Sequence, residues 1–368
     1  MSIKNLFNEV NANLIDRSDE VRAAIRAAVA REHLLLVGPP GTAKSMLCNA
    51  LAAAIGCRVF TTAVDPHTEP EHIFGPESFR SRMEDKLEKC TDGYAADAEL
   101  VFLDEIFKAS KATRSHLLPF MQERVYFNGS VKMSTPLRTL IAASNEIPDD
   151  HADAVYDRFL IRRFVDPVHP SRLKELLFGI QGATSTVSTI TEWDQAHEES
   201  RQIPVSDEVK DVFEDLVAEL NAKKIRPGDR RLRKSIGVLQ AEAWLQGDSE
   251  VTTAHLECLG DVLWINPEER KQSQDIVLKH SDPVSAKAVS LEESLNDIVT
   301  RLGGSTDESD ATEALGKMKS LMQQAQSLPT SERQAELVKK VVEQQKRLKA
   351  SIMGIDPDKI QEIIDIGT

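Results

Sequence analysis

The sequence predicts an α/β chain in which a parallel sheet covered by helices is followed by a small all-helical domain and an antiparallel helical bundle. Three observations carry this. Residues 1 to about 170 alternate short β-branched or leucine-rich runs with helical stretches, as parallel strands joined by crossover helices do. Three amphipathic stretches follow. After Pro283 the apolar positions step by three and four along narrow seams. The expected division is a core at 1–170, a connecting segment at 171–203, an all-α lid at 204–268 and a C-terminal triple-helix bundle at 269–368.

The strands expected are LLLV (34–37), RVFTTAV (58–64), LVFL (100–103) and RTLIAAS (138–144). Each ends in residues able to carry chemistry, and ligands bind at that end of open parallel sheets. The Ser- and Thr-rich stretch at 171–203 reads as a helix followed by a loop-rich connection. Helices are expected at 206–222, 229–245 and 253–265, the first opened by the cap-like SDE. In the bundle the seam residues are Val284, Ala288, Leu291, Leu295, Ile298 and Leu302. The seam resumes after GGSTDESD at Ala311, Leu315, Met318, Met322 and Ala325, and again at Leu337, Val341, Leu348 and Ile352. This region reads as a packing or oligomer-contact module without chemistry.

Composition narrows the function classes. The 368 residues carry 45 basic and 59 acidic side chains, a formal charge of −14, which argues against a nucleic-acid partner. An apolar fraction of 41% excludes disorder of the whole chain. No run approaches the roughly 18 apolar residues of a membrane span, and the start lacks the order of a secretion signal, so a cytoplasmic protein is expected. The four cysteines, Cys48, Cys57, Cys90 and Cys258, form no CxxC pair and read as buried thiols.

The segment LLLVGPPGTAKSMLCNAL joins a buried strand to a helix through a glycine-proline loop, the arrangement of a phosphate cradle. Gly38 and Gly41 let the backbone curl, with Pro39, Pro40, Thr42, Ala43 and Met46 completing the loop and its exit. Lys44 can reach the outer phosphates, and the Ser45 hydroxyl can ligate Mg²⁺. Ala43 stands where such loops carry a glycine; a methyl there demands an ordinary helical backbone while leaving the N–H donors available.

In LVFLDEIFK a strand ends at Asp104 and Glu105. Asp104 can hold the magnesium shell, and Glu105 can orient and deprotonate a water aimed at a γ-phosphate. LIAASNE places Asn145 at the next strand end, where its amide can position that water. AVYDRFLIRRF sets Arg158 near a helix end with Arg162 and Arg163 close behind, and an arginine presented to a neighbouring subunit can stabilise transition-state charge. His67 and His72 read as loop histidines rather than a metal pair.

Taken together, GPPGTAKS, EPEHIFGPESF, GYAADAELVFLDEIFKA, LRTLIAASNEIP and VYDRFLIRRF resemble the MoxR family of AAA+ ATPases, especially its RavA branch. The resemblance spans roughly residues 10 to 265. It implies a P-loop AAA+ αβα core and a hexameric, chaperone-like machine driven by ATP and Mg²⁺. Gly38 to Ser45 would be Walker A, Asp104 and Glu105 Walker B, Asn145 sensor 1 and Arg158 the trans-acting finger, with Arg162 as the alternative. Sensor 2 would be Arg230, Arg231 or Arg233, of which Arg230 opens the lid helix. Family members act on partners with a von Willebrand factor A (VWA) domain, whose DxSxS sequence forms a metal-adhesion site. The Asn128-Gly129 turn in RVYFNGSVKM would mark the clade's pre-sensor hairpin. The broken stretch after FGPESF would be its helix-2 insert, and both would face the central opening of a ring. The C-terminal region departs from the RavA pattern, in which a β-containing module interrupts the helices. Two other readings are a nucleotide-gated scaffold with little turnover and, from the basic stretch KKIRPGDRRLRK, a nucleic-acid remodeller.

Overall fold

A computed structural model describes residues 3–12, 14–148, 153–179, 188–302, 308–329 and 332–353. Helices α1 (Ile3–Asn11) and α2 (Ser18–Ala30) precede β1 (Leu34–Val37), and α3 (Lys44–Ile55) leads to β2 (Val59–Ala63). Two single-turn helices, α4 (Pro70–Phe74) and α5 (Phe79–Met83), stand where one crossover helix would otherwise run before β3 (Leu100–Asp104). Next come α6 (Lys111–Glu123), the hairpin β4 (Val125–Asn128) and β5 (Val131–Ser134), β6 (Thr139–Ser144), α7 (Ala154–Arg158) and β7 (Ile161–Phe164). Helices α8 (Leu173–Phe178), α9 (Ile190–Arg201), α10 (Asp207–Ala222), α11 (Asp229–Gln246) and α12 (Arg270–Ser281) follow. The last are α13 (Pro283–Leu302), α14 (Glu308–Gln326) and α15 (Glu332–Met353).

The main sheet is parallel, in the order β2-β3-β6-β1-β7. Strands β1 and β6 are buried along their whole length, which is why LLLV and the LIAA of β6 read as apolar runs. Leu35, Val101, Leu103, Leu140 and Ala142 from the sheet pack with Phe74, Phe120, Tyr156 and Phe159. Strand β7 was not among the strands expected from the sequence. Its segment IRRF looks polar, yet Arg162 is fully buried and donates to the carbonyls of Tyr156, Phe159, Trp264 and Ile265. Tertiary acceptors replace the water that a buried guanidinium loses.

The chain forms two compact units, Met1–Gln274 and Asp275–Thr368. In the first, part of the expected loop-rich connection is α9. A Thr189–Glu192 capping box opens it, and Trp193, Ala196 and Ser200 are buried. The stretch 180–187 lies outside the described residues. The third expected lid helix is instead a 3₁₀ run, Thr253–Asp261, whose tighter turn buries His255, Leu256, Cys258 and Leu259. Cys90 is exposed rather than buried, while Cys48 and Cys258 are buried.

The second unit has a core from Ala288, Leu291, Leu295, Met318, Leu321, Ala325, Leu337 and Val341. On α14 the expected Met318 and Ala325 are buried, joined by Ala314 and Leu321, whereas the expected Leu315 and Met322 are half-buried. The side chains of Leu302, Ala311 and Ile352 and the stretch 303–307 lie outside the described residues. Among the described residues no helix is long and apolar enough to cross a membrane.

The hairpin differs from expectation by one residue. Asn128 pairs with Val131, so Gly129 and Ser130 form the turn, and Gly129 takes φ +62°. Asn128 has another use: its amide accepts from Lys89 N at 2.6 Å and donates to Lys89 O at 3.1 Å. A Cβ on Gly129 would meet Leu87 O at 2.2 Å, so glycine allows the close approach as well as the turn. The hairpin and the segment around α5 are thereby joined, and Phe79, Met83, Leu87, Phe127 and Val131 stand exposed on them.

Candidate functional site

The loop after β1 is built as a cradle. Gly38 N donates to Ser144 O at 3.0 Å, tying its start to the end of β6. Gly38 serves close packing rather than curling, because a Cβ there would lie 2.3 Å from Val165 O; Gly41, at φ +82°, supplies the curl. Pro39, Pro40, Gly41, Ser45 and Met46 are exposed around the loop, whereas Thr42 is buried and its hydroxyl donates to Pro39 O at 2.9 Å. Ala43 does not take the helical backbone expected of it. It adopts the left-handed conformation, φ 63° and ψ 20°, at the N-cap of α3. A side chain there costs about 1 kcal/mol, since its Cβ crowds the backbone where glycine would not.

Lys44 folds back into this loop. Its ammonium donates to Gly38 O at 2.8 Å and Pro39 O at 2.9 Å. Burial lowers its pKa, against the opposing pull of Asp104 and Glu105. Ser45 Oγ donates to Asp104 Oδ2 at 3.3 Å, so the hydroxyl and the β3 carboxylate converge. Both are hard oxygen donors, the set that Mg²⁺ takes alongside phosphate oxygens and water.

Glu105 also sits in the left-handed region, φ 55°, where the chain turns off β3. Its N–H donates to Asp104 Oδ1 at 3.1 Å. Its Oε2 lies 3.5 Å from Asn145 N and 3.6 Å from Lys108 Nζ. Strained backbone holds this carboxylate at the strand end, beside exposed Asn145. His72 serves structure: its Nδ1 accepts from Glu69 N and caps α4.

Arg158 and Arg230 lie at the opposite end of the sheet. Ile161, three residues beyond Arg158, pairs with Leu34 at the start of β1, whereas the cradle follows Val37 at its end. Arg158 Nε donates to Gln122 Oε1 at 3.0 Å and its Nη1 to Asp157 at 3.0 Å. Arg230 Nη1 reaches the same Gln122 oxygen at 3.4 Å. Burial and then the Arg230 charge lower the Arg158 pKa. Arg230 therefore stands with Arg158 and not over the cradle of its own chain.

Two of the alternatives have structural duties. Arg162 is fully buried over the Tyr156 ring at 3.9 Å, and burial brings its pKa down to about 9. Arg231 is buried on the carbonyls of Leu160 and Val262. Arg233 is exposed. The sequence reading missed Arg17 and Gln122, which belong to no local pattern that would single them out, and Lys108, which stands within LVFLDEIFK three residues after Glu105.

Comparisons with known proteins give the family and the fold. Residues 1–202 match the family described as the MoxR domain in the MoxR-vWA-beta-propeller ternary systems, and residues 208–277 match the AAA lid domain. The uncharacterized protein MJ0812 of Methanocaldococcus jannaschii is 28% identical over 333 residues, which cover 87% of this chain and 89% of that protein. Chaperone MoxR1 of Mycobacterium tuberculosis is 27% identical over 46% of each chain. A crystal structure of a "putative ATPase" from Cytophaga hutchinsonii shares the fold with a TM-score of 0.62 at 16% identity, covering 76% of this chain and 92% of that one. With more than half its length matched by the family, and with a parallel αβα core joined to an AAA lid, the chain belongs to the MoxR family of AAA+ ATPases.

Proposed function

We propose that the protein binds ATP with Mg²⁺ in the cradle of residues 38–46, hydrolyses it, and uses the cycle to remodel or mature a protein partner. One observation carries the reading: Lys44, the Ser45–Asp104 pair at 3.3 Å and Glu105 beside Asn145 converge at one end of the sheet. When phosphates enter, Lys44 exchanges the Gly38 and Pro39 carbonyls for phosphate oxygens. Ser45 and Asp104 would hold Mg²⁺, which supplies charge neutralisation on the phosphates. Glu105 takes the proton of the attacking water, and Asn145 orients that water.

Arg158 and Arg230 fit a site completed by an adjacent copy, because both lie at the end of the sheet away from their own cradle. A closed ring, hexameric by family resemblance, presents one subunit's arginines to the next subunit's γ-phosphate. The exposed apolar side chains on the α5 segment and the hairpin would grip the partner. The description of the matched family supports a partner with a VWA domain.

Nucleic acid fits poorly, since the basic stretch 223–234 spends Arg231 on buried carbonyls and Lys234 on Glu32 at 2.5 Å. A scaffold without turnover would not need a strained glutamate at a water's position. Calorimetric titration with Mg-ATP, followed by steady-state phosphate release across protein concentrations, tests the proposal. Saturable binding and turnover that rises as copies assemble are expected; no binding by folded protein overturns it. Copurification with a DxSxS-bearing protein only when nucleotide is present tests the partner class.

A further inference from the structure

The cradle contains one strained residue and one brace from outside its sequence, and the two meet at the same peptide. Arg17, at the N-cap of α2, is only 5% exposed, and its Nε donates to Thr42 O at 3.1 Å. Its Nη1 donates to Asp16 O at 2.6 Å, and the Asp16 carboxylate accepts from His169 N at 2.8 Å. The segment bearing Arg17 is thus anchored to the chain that follows β7. A trans peptide is planar, so the carbonyl and N–H of the Thr42–Ala43 unit point in opposite directions. Arg17 lies on the buried side of the loop and holds the carbonyl there. The Ala43 N–H is therefore turned toward the open side, where Gly41 and Ser45 are exposed.

The residue entered through this peptide is Ala43, whose left-handed φ of 63° would be free of strain for glycine. Glycine needs no brace to reach that conformation, but alanine at the same place gains from a neighbour that fixes the preceding peptide. The geometry points to Arg17 as a positioning residue that holds the Thr42–Ala43 peptide in its donor orientation, making the alanine-bearing cradle competent for nucleotide phosphates. This rests on the ATP reading above and adds a residue far from the loop in sequence. Arg17 acts through the peptide and touches no reacting atom, so its loss should raise Kd and KM while leaving kcat nearly unchanged.

A double-mutant cycle on the full chain tests it, with a fluorescent ATP analogue as probe and thermal melting as the check on folding. Arg17→Met should weaken binding about tenfold with Ala43 present, and only about threefold or less in an Ala43→Gly background. Equal losses in the two backgrounds, or a fall in kcat instead of a rise in KM, would overturn the assignment. If Arg17→Met does not fold, Arg17→Lys replaces it: the cation stays but the planar fork is lost, and the weakening should again be relieved by Ala43→Gly. Binding by Arg17→Lys as tight as wild type in both backgrounds refutes the role. Failure of the folded wild type and of Ala43→Gly to bind the probe would instead bring down the nucleotide reading itself.

Discussion

The two ends of the five-stranded sheet follow different electrostatic plans. At the cradle end, opposite charges sit within reach of one another: Lys44, Asp104 and Glu105 around an exposed loop, with each cation given a carbonyl or carboxylate. At the other end, four arginines gather around one carboxylate, Asp157, which pairs with Arg158 at 3.0 Å and Arg231 at 3.6 Å. Arg162 and Arg231 are buried on main-chain oxygens, while Arg158 and Arg230 share one amide, Gln122. Chemically identical side chains therefore divide by environment. A guanidinium bonded to four buried carbonyls is part of the fold, whereas Arg230, held by Gln122, and Arg158, held by Gln122 and the half-exposed Asp157, keep partners that water can replace.

The sharpest way to break this contrast lies at the cradle end. Lys44→Ala should abolish both ATP binding and turnover. Glu105→Gln should keep binding and lose turnover by on the order of 10³-fold or more, as measured by calorimetry and phosphate release. A normally active Glu105→Gln protein would remove the water-activating role.

At the arginine end, Arg158→Ala should lower turnover about 10³-fold and leave binding by separate subunits intact. Mixing it with Glu105→Gln should restore part of the activity, because an interface can then combine one chain's Glu105 with the other's Arg158. No recovery on mixing would remove the trans role of Arg158.

Arg162→Leu should act on stability instead, by about 4 kcal/mol, since four buried carbonyls lose their donor. Denaturant unfolding measures this, and a fully stable variant with reduced turnover would reverse the division of roles drawn above.

The smallest expected effect concerns acid. Burial raises the Glu242 pKa, but Arg26 at 2.9 Å and Arg22 at 2.5 Å overcome it and bring the value down to about 2. A folded pKa below the ordinary 4.5 means the contribution is complete above that pH and lost as pH falls toward 2. Roughly 3 kcal/mol is at stake, and stability measured across this window should be flatter in Glu242→Gln.

The cradle, the Asp104–Glu105 strand end and the bundle seams could be read directly because each is a local pattern. Backbone curl, strand burial and helix periodicity depend on residues a few positions apart. Ala43 shows where local reading stops: the sequence marks the missing glycine, but not that the alanine takes the strained backbone anyway, with Arg17 bracing the peptide before it. Strand β7 escaped notice for a related reason, since a strand containing Arg162 looks exposed until the carbonyls of Trp264 and Ile265 arrive from a distant segment.

By itself the sequence determined the parallel αβα core with its lid and bundle seams, and it marked the residues proposed to meet the phosphates. Only the tertiary structure decided which arginines are available, where Asn128 spends its amide and what holds the cradle open. Each of those depends on whether a polar group meets water or a partner brought from afar, and burial, which sets that choice, belongs to the fold and not to any stretch of neighbouring residues.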